Sequence, residues 1–209
     1  MSSYEKINKQ QTTSEKDPFT VDRYRQFLRY FPPKTGLEVL DIGCNTGVGG
    51  TVLKSNSGEL CLSGLDCVKD RLDRLPADVY DKKIYGLSTD IPVEAGSFDV
   101  VVAGEFIEHL FPYDVDKTLS EIFRALKLGG RLLLTTPNPL DWKRRWRGES
   151  VLGGSHVSQH YPDALKMRLR MIGYSRVRFY GSGKMSWYLG DKVPLLSLYG
   201  SYLVVADKS

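Results

Sequence analysis

The sequence predicts an α/β fold in which helices cover both faces of a mostly parallel sheet. Short apolar strands alternate with amphipathic helical segments along most of the chain. The strand around Asp41 runs directly into a loop with glycines at positions 43, 47, 49 and 50, and a helix follows. Residues 100–103 are uninterruptedly apolar, as in a central parallel strand that is buried on both faces. In such folds ligands bind beyond the carboxyl ends of the strands.

Length and composition indicate one globular domain. The chain has 209 residues, of which 41% are hydrophobic and 26% charged. We expect a flexible, polar N-terminal tail over residues 1–17 and a single domain over residues 18–209. A net charge of +4 gives no argument for nucleic acid as a partner. The oligomeric state is left open.

The predicted location is the cytoplasm. No apolar run approaches the roughly 18 residues of a membrane-spanning helix, and residues 1–17 lack the apolar core of a secretory signal. The three cysteines form no C-x-x-C pair, which fits a reducing compartment.

The first predicted helix covers residues 18–31, where large apolar side chains recur near helical spacing before Pro32 and Pro33 end it. This helix either packs on the edge of the sheet or forms a lid over the ligand site. Further helices are predicted at residues 70–81, 114–128 and 161–172. Further strands are predicted at residues 60–66, 84–88, 96–105, 131–138, 174–180 and 202–206. Gly129 and Gly130 are expected to end the helix at residues 114–128.

The glycine loop has the spacing G-x-x-x-G-x-G. A dinucleotide fingerprint needs a glycine where Asn45 stands, and a P-loop needs a lysine that this loop lacks. The carboxylate of Asp41 would repel a phosphate but suits an ammonium or sulfonium group. Asp66 ends the next predicted strand, where an acid either caps a helix or accepts hydrogen bonds from ribose hydroxyls.

Three motifs follow one another between residues 37 and 138: V-L-D-I-G-C-N-x-G, S-F-D-V-V and E-I-x-R-x-L-K-x-G-G-x-L-L-L-T-x-P-N. In this order they resemble the class I S-adenosylmethionine-dependent methyltransferases of the small-molecule type. The resemblance implies a Rossmann-like sheet of seven strands in the order 3-2-1-4-5-7-6, with the last strand antiparallel. It also implies S-adenosylmethionine as cofactor and S-adenosylhomocysteine as product. Many members have glycine where this chain has Asn45, a residue that tolerates the left-handed conformation.

The resemblance also implies a cofactor-binding set. Four residues would hold the amino-acid end of the cofactor: Asp41, Gly43, Cys44 and Gly47. Asp66 would bind the ribose, Cys67 would lie near the adenine edge, and Glu105 and Phe106 would flank the methyl donor. Where the family commonly has an acid for the adenine, this chain has Leu87. Adenine is therefore held either by backbone amides around Leu87 and Ser88 or by Asp90.

All three histidines of the chain follow predicted strand ends. A hydroxyl acceptor usually needs its proton removed. His109 is the first candidate for this base, and His156 or His160 is the second.

A metal-dependent mechanism would use some of the same residues. Glu105, Glu108 and His109 have the i, i+3, i+4 spacing of one helix face, and His156 or His160 could complete a metal site. The small-RNA 3′-terminal 2′-O-methyltransferases show a similar E-x-x-E-H, and the basic and aromatic segment at residues 142–147 would suit RNA. The same motif also resembles metal-free small-molecule methyltransferases, and we predict no metal.

The predicted function is therefore S-adenosylmethionine-dependent O-methylation of a small-molecule acceptor such as a sugar or secondary metabolite. The alternatives are metal-assisted RNA 2′-O-methylation and a non-catalytic cofactor-binding partner protein. The intact glycine loop and Asp66 count against the non-catalytic alternative. Substrate-side insertions are predicted at residues 139–161 and 184–199, whose sequences do not identify the acceptor.

Overall fold

Seven strands form a single mixed sheet in the order β3-β2-β1-β4-β5-β7-β6 in the computed structural model, which describes residues 4–5, 17–57 and 59–209. The strands are β1 (Glu38–Ile42), β2 (Cys61–Asp66), β3 (Lys82–Tyr85), β4 (Phe98–Gly104), β5 (Leu126–Pro137), β6 (Tyr174–Ser182) and β7 (Ser201–Lys208). Strand β7 runs antiparallel to both β5 and β6, while β1 to β5 pair in parallel. The predicted fold class, strand order and antiparallel last strand are confirmed.

The helices are α1 (Thr20–Leu28), α2 (Val48–Asn56), α3 (Lys69–Asp73), α4 (Pro112–Ala125), α5 (Trp142–Trp146), α6 (Pro162–Ile172) and α7 (Ser186–Leu189). Two short 3₁₀ turns lie at Ile107–His109 and Leu196–Leu198. Among the described residues, no helix combines the length and the apolar character needed to cross a bilayer.

Several element boundaries differ from the predictions, and the helix predicted at residues 70–81 spans only Lys69–Asp73. Helix α4 ends at Ala125 because Leu126 adopts extended backbone, pairs with Phe98 and starts β5. Gly129, with φ of +78°, therefore lies inside the strand and not at a helix end. Strand β3 ends at Tyr85, and Leu87 forms an isolated antiparallel bridge with Asp90, so the chain reverses direction at residues 88 and 89.

The sheet is buried on both faces. Successive residues of β4 alternate between two apolar clusters, with Val100 and Val102 in one and Val101 and Ala103 in the other. The alternation follows from the two-residue period of a strand. By the same period Asp41 shares the face of Val39, the face that α1 covers.

Asp99 braces the end of the sheet opposite the glycine loop that follows β1. Its carboxylate accepts hydrogen bonds from Lys34 Nζ at 2.7 Å, Lys127 Nζ at 2.8 Å and the backbone N of Glu38 at 3.0 Å. These bonds outweigh partial burial and lower the pKa of Asp99 to about 2. Asp99 therefore ties Lys34, Lys127 and the start of β1 together at this end of the sheet.

The predicted flexible tail falls largely on residues 1–3 and 6–16, which lie outside the described residues. Tyr4 is described and is buried. Its hydroxyl donates to Asp114 Oδ2 at 2.5 Å and accepts from the backbone N of Phe111 at 2.9 Å. Tyr4 therefore packs against the start of α4.

Candidate active site

A cavity of about 580 Å³ opens beyond the carboxyl ends of β1, β2 and β4. The loop after β1 forms one side, α1 a second, and the segments at residues 86–89 and 155–156 further walls. This volume lies within the range of roughly 300–1,000 Å³ that small-molecule sites occupy. The position is the one expected for a ligand site in an open α/β sheet.

The glycine corner takes backbone conformations that exclude most side chains. Gly43 has φ of +70°, and a Cβ atom there would lie 2.7 Å from the ring of Phe106. Asn45 has φ of +51°, so asparagine does supply the left-handed conformation at this position. Gly43, Cys44 and Asn45 line the cavity. Gly47, with φ of +88°, precedes α2 and does not line it.

Asp41 does not line the cavity. Its carboxylate is fully buried and accepts hydrogen bonds from the hydroxyls of Tyr24 and Tyr80, both at 2.6 Å. Burial raises the pKa of Asp41 to about 6, while the two tyrosine bonds lower it. Sequence reasoning missed both tyrosines and predicted a direct contact between Asp41 and the cofactor.

Asp66 lines the cavity at the end of β2. One carboxylate oxygen accepts from the backbone N of Asn45 at 3.1 Å and the other from the backbone N of Val68 at 2.8 Å. Burial raises the pKa of this carboxyl, and the bond from Val68 N lowers it. Because an ionised carboxylate has about four lone-pair sites, Asp66 can brace both loops and still accept from a ligand.

The wall next to Asp66 is formed by Cys67, Leu87 and Ser88. The hydroxyl of Ser88 lies 3.0 Å from that of Thr118, which fixes this segment to α4. Asp90 is exposed and does not line the cavity. Of the two groups considered for the adenine, Leu87 and Ser88 are therefore the pair at the cavity.

Glu105 lines the cavity just beyond β4 and has φ of +49°, an unusual conformation for a residue with a side chain. Its backbone N donates to the carbonyl of Thr135 at 3.0 Å, which holds this conformation. Burial raises the pKa of Glu105, and Arg23, whose Nε lies 3.8 Å from the carboxylate, opposes that shift. Arg23, which also pairs with Asp17 at 3.0 Å, lines the cavity and was missed by sequence reasoning.

Two of the three histidines face the cavity together. His109 Nδ1 lies 3.1 Å from the carbonyl oxygen of Ser155, and His156 Nδ1 lies 3.1 Å from that of Val151. The two rings meet edge to face, with centroids 5.0 Å apart. Because a carbonyl only accepts hydrogen bonds, both Nδ1 atoms carry the proton, and Nε2 of each neutral ring keeps its lone pair. Burial lowers the pKa of His109 to about 4.

His160 is not part of this group. Its Nε2 lies 2.9 Å from the hydroxyl of Ser158 and 3.2 Å from the carbonyl oxygen of Ile107. It is buried and borders a different cavity, between the loop and α6. These contacts are those of a residue that fixes a loop onto the turn at residues 107–109.

Glu108 is fully buried directly behind the two histidines. One carboxylate oxygen accepts from the hydroxyl of Thr136 at 3.0 Å, while Oε1 has no hydrogen-bond partner among the described residues. Burial raises the pKa of Glu108 well above its usual value, and the nearby carboxylate of Glu105 raises it further. Ligand atoms of Glu108, His109 and His156 all lie within 4.8 Å of one another.

Comparison with known proteins agrees with this architecture. The model of a methyltransferase domain family matches residues 17–178. A probable S-adenosylmethionine-dependent methyltransferase of Mycolicibacterium smegmatis is 34% identical over 104 residues, covering 49% of this chain and 39% of that protein. Nocamycin O-methyltransferase of Saccharothrix syringae is 29% identical over 161 residues, covering 68% of this chain and 52% of its own length.

The crystal structure of a SAM-dependent methyltransferase from Archaeoglobus fulgidus superposes with a TM-score of 0.69. It shares 20% sequence identity, and the match covers 90% of this chain and 92% of the other. The chain spans about half or less of the curated relatives' length. Since the family model covers most of the chain and the fold is the one common to such enzymes, this protein belongs to the class I S-adenosylmethionine-dependent methyltransferases, whose cofactor is S-adenosylmethionine.

Proposed function

We propose that this protein transfers the methyl group of S-adenosylmethionine to a hydroxyl oxygen of a small-molecule acceptor, such as a sugar or a secondary metabolite. One observation carries the proposal: a single cavity joins the glycine corner, the strand-end carboxylate of Asp66 and two imidazoles with available lone pairs. The name of the nocamycin O-methyltransferase among the relatives supports oxygen as the acceptor atom.

The cofactor lies along the ends of the strands in this proposal. Main-chain groups of Gly43 and Cys44 hold its amino-acid end, and Asp41 supports this corner from behind through its two tyrosines. Asp66 accepts from the ribose hydroxyls. Cys67, Leu87 and Ser88 surround the adenine, and Glu105 and Phe106 flank the sulfonium and its methyl group.

The reaction is an in-line displacement. The acceptor oxygen attacks the methyl carbon, the carbon–sulfur bond breaks, and the sulfonium becomes the neutral thioether of S-adenosylhomocysteine. Alignment of oxygen, carbon and sulfur can supply several kcal/mol of the barrier. The hydroxyl proton passes to Nε2 of His109, or of His156 as the second candidate. With a pKa of about 4, His109 is neutral at pH 7 and able to accept a proton, although it is a weak base.

The acceptor binds between α1 and the two insertions. Helix α1 acts as a lid and contributes Arg23 to the cavity, the first insertion contributes His156, and the second contributes Lys184. We assign the protein to the cytoplasm, because three cysteines without a C-x-x-C pair suit a reducing compartment.

A second candidate acceptor is the 2′-hydroxyl of RNA. Helix α5 exposes 82% of Trp146 and 49% of Trp142 beside three basic residues, and Arg144 lines the cavity. Arginine forks match phosphate oxygens and exposed aromatic rings stack on bases. Incubation with methyl-labelled S-adenosylmethionine and either a small-metabolite pool or an RNA pool separates the candidates by the fraction that carries the label.

Cofactor binding is tested by calorimetry with S-adenosylhomocysteine. We expect Asp66→Asn to weaken binding at least tenfold. A hydrogen bond to a charged group contributes about 1.5–3 kcal/mol, and about 1.4 kcal/mol corresponds to a factor of ten in affinity. Asp90→Asn is the matched control, because Asp90 is a nearby acid that does not line the cavity. Binding without any methyl transfer to either pool would favour the non-catalytic alternative. Binding of NAD or ATP but not of S-adenosylhomocysteine would overturn the proposal.

A further inference from the structure

We infer that Glu108, His109 and His156 form a binding site for a divalent transition-metal ion at the acceptor end of the cavity. Their ligand atoms lie within 4.8 Å of one another, so that one ion can contact all three after small side-chain rotations. Two imidazole nitrogens and one carboxylate oxygen suit ions such as Zn²⁺, Fe²⁺, Co²⁺ and Mn²⁺. The sequence-based prediction of no metal is revised by this inference.

The hydrogen bonds behind the two imidazoles are those of metal ligands. Each Nδ1–H is held by a main-chain carbonyl at 3.1 Å, that of Ser155 for His109 and that of Val151 for His156. Metal-binding histidines almost always donate the other ring N–H in this way, which fixes the tautomer and the ring orientation. In His160 the Nε2 atom is instead engaged by Ser158 and Ile107, which leaves it unsuited to the role.

Glu108 supplies the second, independent observation. Glu108 Oε1 is fully buried and has no hydrogen-bond partner among the described residues, which is unfavourable, and more so when the group is charged. The charged groups nearby compensate it only in part: Glu105 has the same sign, and Arg23, the nearby cation, forms its ion pairs with Asp17 and Glu105. A divalent cation would give Glu108 the positive partner that the surrounding side chains do not provide.

The site faces the cavity on one side only. His109 and His156 line the cavity, whereas Glu108 lies behind them, where Thr136 fixes its second oxygen. Three protein ligands leave at least one coordination position open. The next step rests on the proposed function: the open coordination position would bind the hydroxyl oxygen of the acceptor. The ion would lower the pKa of that hydroxyl, so that its proton passes to solvent water before the oxygen attacks the methyl carbon. In the metal-bound protein this would replace proton transfer to His109, whose Nε2 lone pair then binds the ion.

Co²⁺ is the probe for the test, since its visible d–d absorption reports direct coordination by nitrogen and oxygen. The full chain is treated with a chelator, desalted and titrated with CoCl₂ by absorption and by calorimetry. We expect one ion per chain. His156→Asn and Glu108→Gln are each expected to weaken binding more than tenfold, since loss of even an outer-shell partner of a metal ligand lowers affinity by about 10–100-fold.

His160→Asn is the matched control, a nearby histidine outside the cluster, and its Co²⁺ affinity is expected to be unchanged. Binding of S-adenosylhomocysteine checks that each variant is folded. Absence of saturable Co²⁺ binding, or equal affinity in the wild type and both cluster variants, would overturn the site. Methyl transfer that persists undiminished in EDTA would refute its catalytic role while leaving the methyltransferase proposal intact. Co²⁺ binding without methyl transfer to any acceptor would support the site and count against the proposed function.

Discussion

Removal of the Tyr80 hydroxyl tests the role of Asp41 as a buried, hydrogen-bonded carboxylate. In Tyr80→Phe the ring stays in place and only the 2.6 Å bond to Asp41 is lost. A hydrogen bond to a charged group contributes about 1.5–3 kcal/mol. We expect a loss of this size in the free energy of unfolding at pH 8, where Asp41 is ionised.

The loss depends on pH in a direction that the pKa determines. The folded pKa of Asp41, about 6, lies above its ordinary value of 3.8, so the folded protein favours the protonated carboxyl. The contribution of Asp41 to folding stability is therefore fully present below the unfolded pKa and is lost as pH rises through 6. A shift of this size corresponds to about 3 kcal/mol. Without the Tyr80 donor the pKa rises further. The deficit of the variant is therefore small at pH 5, where Asp41 is largely protonated, and full at pH 8.

Urea unfolding at pH 5 and pH 8 measures both deficits, with unchanged m-values as the check on two-state behaviour. Tyr174→Phe is the matched control. It removes a buried tyrosine hydroxyl that donates to a neutral acceptor, the carbonyl of Leu119 at 3.2 Å, and we expect a loss of about 1 kcal/mol at both pH values. Equal deficits of Tyr80→Phe at the two pH values would refute the reasoning.

Three further predictions concern the site and its support. His109→Ala is expected to lower turnover by about 10²–10⁴-fold while the calorimetric affinity for S-adenosylhomocysteine stays nearly constant, and unchanged turnover would remove His109 from the mechanism. In Gly49→Ala the new Cβ would lie 2.2 Å from the ring of Tyr24, so overpacking should lower the unfolding free energy by about 1–3 kcal/mol. Gly200→Ala, with no atom within 4 Å of the new Cβ, should stay within about 0.5 kcal/mol of the wild type, and similar losses in the two variants would contradict the packing argument. Asp99→Asn should lose about 1–2 kcal/mol at pH 7 after solvent screening. Because the folded pKa of Asp99 is about 2, its contribution to stability is present above the unfolded pKa and lost as pH falls through 2. In urea unfolding, the difference in unfolding free energy between the wild type and Asp99→Asn should therefore narrow toward pH 2. A difference that stays constant with pH would contradict this argument.

The sequence predicted those parts of the site that depend on local backbone. The glycine corner and the strand-end position of Asp66 follow from a few consecutive residues, and the structure has both. The partners of Asp41 do not follow in this way, since Tyr24 and Tyr80 lie 17 and 39 residues away along the chain. Their contact with Asp41 requires α1 and the segment after α3 to dock on the same face of the sheet. Such docking depends on tertiary contacts and not on a local sequence pattern.

Local spacing was misleading where the backbone changes course. The i, i+3, i+4 pattern of Glu105, Glu108 and His109 assumes one continuous helix, but Glu105 has φ of +49° and the 3₁₀ turn begins at Ile107. Glu105 is therefore separated from the turn that carries the other two residues. The third member of the cluster, His156, lies in the segment at residues 139–161, whose sequence gives no regular pattern, so its position depends on tertiary contacts.

Those contacts are mainly between backbone groups. The backbone N atoms of Val157 and Ser158 donate to the carbonyl of Glu108 at 2.9 and 3.1 Å, and Gly153 and His156 close a tight turn by exchanging two hydrogen bonds. The position of His156 relative to Glu108 is thus set by main-chain bonds, which most side-chain substitutions in this loop would leave intact.

The segment at residues 184–199 differs from this loop, because its first part exposes large side chains. It exposes 54% of Trp187 and 71% of Tyr188, and only the short helix α7 orders this part of it. Lys184 and Ser186 from its first residues line the cavity. We expect substitutions of Lys184 and Ser186 to change the cavity wall without disturbing the histidines or the glycine corner. We therefore expect acceptor selectivity to depend on residues 184–199 and the chemical step on the turn at residues 107–109.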